Sequence, residues 1–327
     1  MMSCTVFRFL CAWLLLGVAT ITAAQTYPNR QITVIVALAS GTGADMIARM
    51  YGAQLAQSVG RPVVVENKPG GSQIIGLTAL LTAPADGHTL AVVTSASMAI
   101  GPTMFKTLPF HPQKDFMPIS LYLKSPYILV VNPKVPAGNL LELVRHVRDN
   151  PGKFNYSSIG PSGATRLAME VLNTRFGIES VNVPYKDAPR MLADLATGEI
   201  QLAFVEAGAS QGFIRDGRLR ALGVSSQTRL SSLPDVPPIA EVANAPDFEA
   251  VSWHVLLTSA GTPQPIVMRL HNDMKRIMAE PEIQNRLKNI GLIPVDSPSV
   301  EGIQKYITDE QAKWGAVIRK LGLAGTS

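Results

Sequence analysis

Residues 32–45 read Ile-Thr-Val-Ile-Val-Ala-Leu-Ala-Ser-Gly-Thr-Gly-Ala-Asp, and this stretch decides the fold. The apolar run 32–38 has the length and β-branched content of a buried strand. It breaks at Ala39, Ser40, Gly41, Thr42 and Gly43, and apolar residues at helical spacing take over from 44 to 57. A strand feeding a helix through paired glycines leaves the first helical N–H groups unpaired and aimed at one small space, an arrangement that captures anions. Asp45, in the first turn, has two readings. Its charge favours the helix dipole and it can pair with Arg49 one turn on, or it can select an amine or hydroxyl on a ligand.

Upstream, residues 1–24 read as a secretory leader: Arg8 carries the charge, 9–18 is a short apolar core, and Thr22-Ala23-Ala24 offers small residues for cleavage. The core is too short to span a bilayer. Both cysteines, Cys4 and Cys11, fall inside this leader, so the mature chain has no means of forming disulfides, thiol nucleophiles or cysteine metal sites. About 300 residues remain, more than one ordinary core, which predicts two domains. With 46% hydrophobic and 16% charged residues the chain is globular, and a net charge of +5 without a basic stripe argues against nucleic-acid binding.

Working outward, short apolar runs alternate with amphipathic segments, the pattern of α/β layers. Strands are expected at 32–38, 63–66, 90–93, 128–131, 154–158, 180–183, 202–205, 219–224 and 250–257, with helices at 44–57, 140–148, 165–176 and 189–196. Two helices follow at 264–279 and 281–289, and a final one is capped by Ser297 with Pro298 at its first position. The proline clusters at 109–118 and 234–238 predict irregular backbone. Each precedes a strand-like run, so the chain is expected to leave a first domain near Ser125 and return near Ser252. That gives 25–125 plus 252–327 as one lobe and 126–251 as the other, with two crossings as a hinge.

Five histidines show no metal-ligand spacing, and no nucleophile elbow, phosphate loop or full dinucleotide fingerprint occurs. No metal and no cofactor is expected. The loops carry the chemistry instead. Ser158-Ile159-Gly160-Pro161-Ser162-Gly163-Ala164-Thr165 again follows a strand and opens a helix, repeating the anion-binding arrangement from the opposite domain. Thr94-Ser95-Ala96-Ser97 places hydroxyls at the carboxyl end of a strand, where open α/β sheets bind ligands. Asp187, beside Lys186 and ahead of a helix, would repel an anion unless the ligand carries an amine or hydroxyl there.

Tyr27-Pro28-Asn29-Arg30-Gln31-Ile32, Gly43-Ala44-Asp45, Val63-Val64-Val65-Glu66-Asn67-Lys68-Pro69-Gly70 and Pro84-Ala85-Asp86-Gly87-His88-Thr89-Leu90 carry a resemblance. It continues through Asn150-Pro151-Gly152-Lys153, Val183-Pro184-Tyr185-Lys186, Leu233-Pro234-Asp235-Val236-Pro237, Ala260-Gly261-Thr262-Pro263 and Lys313-Trp314. In order and over nearly the whole mature chain, these resemble the Bug-type solute-binding proteins of tripartite tricarboxylate transporters.

The resemblance implies a type II periplasmic-binding-protein-like fold, two α/β lobes joined by crossing strands around a ligand cleft, and a periplasmic location. It implies a non-enzymatic monomer that closes on a small organic acid, a mono- or dicarboxylate, and passes it to transporter permease subunits. Its site residues carry over to Ala39, Ser40, Gly41, Thr42, Gly43, Asp45, Thr94, Ser95, Ser158, Gly160, Ser162, Gly163, Ala164, Thr165, Asp187 and Val205. Departures cluster there: Ser40 and Thr42 alter a loop that usually reads Ala-Pro-Gly-Gly, Arg166 replaces a histidine, Asp187 a glycine and Val205 an aspartate. Arg166 facing the cleft would favour a diacid, whereas on the surface it would pair with Glu170; Val205 suits an aromatic or branched acid. Trp253 reads as core or hinge. Two other readings stay open on sequence: a sensory protein presenting its ligand to a membrane histidine kinase, and an exported hydrolase or isomerase using Asp45 or Glu206.

Overall fold

The computed structural model describes residues 27–159 and 163–326; the leader lies outside them. Among these residues no helix is long and apolar enough to cross a membrane. Ten strands form one curled mixed sheet with helices packed against it. The first part of the chain forms β1 (Ile32–Val36), α1 (Gly43–Val59), β2 (Val63–Asn67), α2 (Ile74–Thr82) and β3 (Thr89–Thr94). A π-type turn at Ala96–Ile100 leads into the short α3 (Gly101–Met104), and β4 (Phe116–Val131) follows. The middle part forms α4 (Leu140–Arg148), β5 (Asn155–Ile159), α5 (Ala164–Phe176), β6 (Val181–Tyr185), α6 (Ala188–Thr197), β7 (Leu202–Glu206), α7 (Ala207–Arg215), β8 (Arg220–Val224) and α8 (Ile239–Val242). The last part forms β9 (Val251–Ser259), α9 (Gln264–Met278), α10 (Pro281–Asn289), β10 (Ile293–Pro294) and α11 (Val300–Lys320).

The sheet runs β2-β1-β3-β9-β4-β7-β5-β6, with β8 and β10 also on β4. β1 lies parallel to β2 and β3, and β5 parallel to β6 and β7, so the carboxyl ends within each group open on one edge. β4 joins the groups. Its first residues pair antiparallel with β9 from Phe116↔Ser259 to Pro126↔Val251, and from Tyr127 onward it pairs with β7 and β8. Ser125 and Ser252, the expected crossing points, are direct partners in this ladder.

Three expectations need correction. The proline-rich stretch 109–118 is not wholly irregular, because β4 begins at Phe116. Its prolines are tolerated where the ladder is imperfect: the register shifts just after Pro118, and Pro126 sits at the changeover from β9 to β7. Ser297 does not cap the last helix. Ser299 does, accepting from the Gly302 N–H at 3.1 Å, while the buried Ser297 hydroxyl accepts from the Leu121 N–H. Finally, neither α2 nor α7 is among the expected helices; in α2, Ile-Ile-Gly-Leu-Thr-Ala-Leu-Leu-Thr is largely apolar and carries no helical period.

The core forms three apolar groups. One lies between the sheet and α11, around Trp253, Val255, Leu257 and Trp314. A second lies under α1 and α9, where Ile47, Tyr51 and Leu55 descend α1 at four-residue spacing onto Val34, Leu90 and Leu256. The third lies under α6 and α7, around Ile128, Met191, Leu195, Ala203 and Val205. Each large side chain buried here stabilises the fold by about 1.5–3 kcal/mol.

Candidate functional site

The loops leaving the carboxyl ends of the parallel strands hold the candidate residues. After β1, Thr42 caps α1: its hydroxyl accepts from the Asp45 N–H and donates to the Ala39 carbonyl at 2.8 Å. Gly41 adopts φ +80°, a conformation that suits glycine, which lets the chain turn back and point its N–H at Asp45 (2.9 Å). Ala39, Ser40 and Gly41 are exposed, and Thr42 and Gly43 half-buried, so this turn borders solvent.

Asp45 is 3% exposed and pairs at 2.9 Å with Arg49, which is itself half exposed. Burial opposes its ionisation, but bonds from Arg49, the Gly41 N–H and Asn67 outweigh that and hold its carboxyl down at about 2. Asp45 therefore ties the β1 loop to β2, whose terminal Asn67 also donates to the Leu38 carbonyl.

Sequence reasoning missed the loop after β2. Gly70, Gly71, Ser72 and Gln73 all have positive φ (126°, 54°, 51° and 79°), two of them without the freedom of glycine. Gln73 shows what holds them. Its amide donates to the Thr94 hydroxyl at 2.6 Å, and its carbonyl accepts from the Thr94 N–H and the Ser97 hydroxyl, both at 2.9 Å. The Ser95 hydroxyl lies 3.1 Å from that of Ser252 on β9. Thr94 and Ser95 thus sit at the β3 end, buried and engaged with neighbours. The signal for this network was the Gly-Gly pair ahead of Ser72, but neither residue type nor spacing marks Gln73 as a clamp.

From the other strand group, Ser158 is buried and donates to Asn182 at 2.8 Å, and the Thr165 hydroxyl accepts weakly from the Ile159 N–H at 3.5 Å. Gly163 precedes α5 and Ala164 opens it; Gly160 and Ser162 lie outside the described residues. Arg166 is half-buried with no partner for its Nε among the described residues, while Glu170 accepts from the Tyr156 hydroxyl at 2.6 Å. Asp187 is exposed and caps α6, its carboxylate accepting from the Arg190 N–H at 3.0 Å. Val205 is buried in the apolar group under α6. Next to it, Glu206 ends β7 opposite Tyr127 and is exposed to solvent.

Among the described residues the arrangement presents loop amides and hydroxyls from both strand groups; the Ser40 hydroxyl reaches the Asp45 carboxylate only at 3.5 Å, and that carboxylate, held down at about 2, is a poor general base. Among the described residues no cluster of three metal-ligating side chains occurs. Two cavities of about 310 and 360 Å³ lie elsewhere, one between α11 and β4 near Met98 and Phe116, the other near Pro133 and Ile214. Neither touches the strand-end loops, and a site lying between two separated loop sets would not form an enclosed cavity.

Residues 47–323 match the sequence model of the tripartite tricarboxylate transporter family receptor. The chain is 30% identical to the protein BugT of Bordetella pertussis over 307 residues, 94% of each chain. Among solved structures it resembles Rpa4515 of R. palustris with adipate, at 30% identity and a TM-score of 0.82, covering 91% of this chain and 99% of that one. It also resembles MatC of Rhodopseudomonas palustris with bound malate, at 26% identity and a TM-score of 0.77, covering 89% and 100%. It further resembles the periplasmic binding protein BugD, at 27% identity and a TM-score of 0.79, covering 91% and 99%. The chain belongs to the receptor family of tripartite tricarboxylate transporters, in its Bug-type branch.

Proposed function

We propose that the protein captures a small organic carboxylate in the periplasm, between lobes formed by 25–125 plus 252–327 and by 126–251, and delivers it to the permease subunits of a tripartite membrane transporter. Residues 1–24 direct export and are removed near Ala24. The observation that carries this reading is that one helix opens after the turn 39–45 at the carboxyl edge of the first strand group and another opens at Gly163–Thr165, just past the carboxyl end of β5 in the second. Free amides at such helix starts bind carboxylates. The adipate and malate in the two related structures support this ligand class.

The ligand is held by amides and hydroxyls of Ala39 to Gly43 on one side and Ser158 to Thr165 on the other, with Thr94 and Ser95 at the floor. Asp45 and Asp187 shape the loops through their caps and bridges. Each hydrogen bond to a charged carboxylate contributes about 1.5–3 kcal/mol, so a few of them offset desolvation and support roughly micromolar binding. Alanine at Ser162 and Thr165 together tests the assignment by titration calorimetry with adipate and malate. A loss of affinity of tenfold or more is expected; unchanged affinity would exclude the second loop from the site.

A further inference from the structure

Behind the candidate site, buried hydroxyls form a chain across the middle of the sheet. Ser95 follows the carboxyl end of β3, and its hydroxyl lies 3.1 Å from that of Ser252 on β9, both side chains being buried. Ser252 in turn is bonded to the Tyr127 hydroxyl from β4. Tyr127 is fixed from behind: its N–H donates to the Ser225 hydroxyl and its carbonyl accepts from the Ser225 N–H, both at 2.9 Å. The Ser225 carbonyl accepts from the Ala250 N–H at 3.0 Å, just ahead of β9. The backbone of Ser252 is already placed by the ladder opposite Ser125, so β9 does not need the side-chain bond to hold its register. That bond acts on Ser95.

A serine hydroxyl has one proton and two lone pairs. Left alone, the Ser95 hydroxyl would turn its proton to whichever carbonyl is nearest. When Ser252 donates to it, one lone pair is occupied, and the Ser95 proton is free for an acceptor on the other side. Tyr127 completes the chain by donating to Ser252, and hydroxyls that donate in one direction strengthen one another. We infer that Ser252 is a positioning residue for ligand capture, whose hydroxyl holds Ser95 so that the single Ser95 proton points at the ligand's carboxylate. The inference rests on the carboxylate-capture reading above, which puts Ser95 at the floor of the site. Ser252 itself touches no ligand, and the chain it completes runs from the β3 loop of the first lobe to Tyr127 in the second.

The test is titration calorimetry with adipate and malate on the wild type, Ser95→Ala, Ser252→Ala and the double variant, with melting temperatures of the unliganded proteins as the check on folding. Ser95→Ala is expected to weaken binding by about tenfold, the loss of a hydrogen bond to a charged group. Ser252→Ala is expected to weaken it by about two- to tenfold, as for a neutral hydrogen bond. In the Ser95→Ala background the second substitution is expected to cost nothing further, because Ser252 acts only through Ser95. Tyr127→Phe, which removes the far end of the chain, gives the same reading if Ser252→Ala fails to fold. A Ser95→Ala or Ser252→Ala protein that binds as the wild type does, or a Ser252→Ala penalty of the same size with and without Ser95, would overturn the inference and leave carboxylate capture standing. A wild type that binds neither adipate, malate nor any acid of a wider mono-, di- and amino acid panel would overturn carboxylate capture, and this inference with it.

Discussion

Gln73 grips Thr94 at two points, donating to its hydroxyl at 2.6 Å and accepting from its backbone N–H at 2.9 Å. The link joins the loop after β2 to the end of β3 and holds four successive residues at positive φ. Backbone strain of this kind persists where surrounding contacts over-determine it. Gln73→Leu removes the contacts and leaves the buried Thr94 groups unpaired, a cost of about 1–3 kcal/mol. Urea unfolding should show a loss in that range, and acid binding should weaken with it because the β3 loop loses its fixed position.

His254 gives the protein an acid-sensitive point. It is buried on β9 against Tyr122, and desolvation lowers its pKa from 6.5 to about 4. The unfolded chain takes up the proton first, so the stability tied to neutral His254 is fully present above pH 6.5. It is lost as pH falls towards 4, by about 3 kcal/mol in total. Melting temperatures of the wild type should fall across pH 6.5 to 4, and His254→Phe should flatten that part of the curve.

Asp45 acts in a lower window. Its folded pKa of about 2 lies below the ordinary 3.8, so its contribution is present above pH 4 and lost as pH falls through 2. Because Arg49 is half exposed, solvent screening reduces the contribution to about 1 kcal/mol. Asp45→Asn should lose about that much at pH 7 and little at pH 2, by chemical denaturation at the two pH values.

One carboxylate oxygen of Glu310 accepts from both Trp253 and Trp314, at 3.1 and 3.0 Å, tying β9 to α11. Glu310→Ala leaves two buried indole N–H groups without a partner, at about 1–3 kcal/mol each. The melting temperature should drop by several degrees, and indole fluorescence in the native state should change.

The strand-loop-helix at 32–45 was legible because a buried apolar run, two glycines and a helical period each speak locally, and all nine expected strands have counterparts. The start of β4 was hidden because its prolines sit at register faults that only the partner strand defines. α2 was hidden because a largely apolar helix shows no period. The candidate loops after β1, β3 and β5 were visible through their glycines and hydroxyls. The Gln73 clamp was not, since a glutamine's role there depends on a partner 21 residues away. Asp187, read as a strange neighbour for an anion, has a plain local use as a helix cap. Arg166 makes no ion pair with Glu170, which accepts from the Tyr156 hydroxyl instead.

The central claim is that this protein holds a small carboxylate, and native mass spectrometry of protein isolated from the periplasm, followed by thermal shifts with mono-, di-, aromatic and amino acids, tests it most directly. The account predicts a co-purified small acid or a saturable rise in melting temperature with at least one acid, since a ligand bound to the native state stabilises it. A protein that carries no small molecule and shows no shift with any acid in the panel would contradict it.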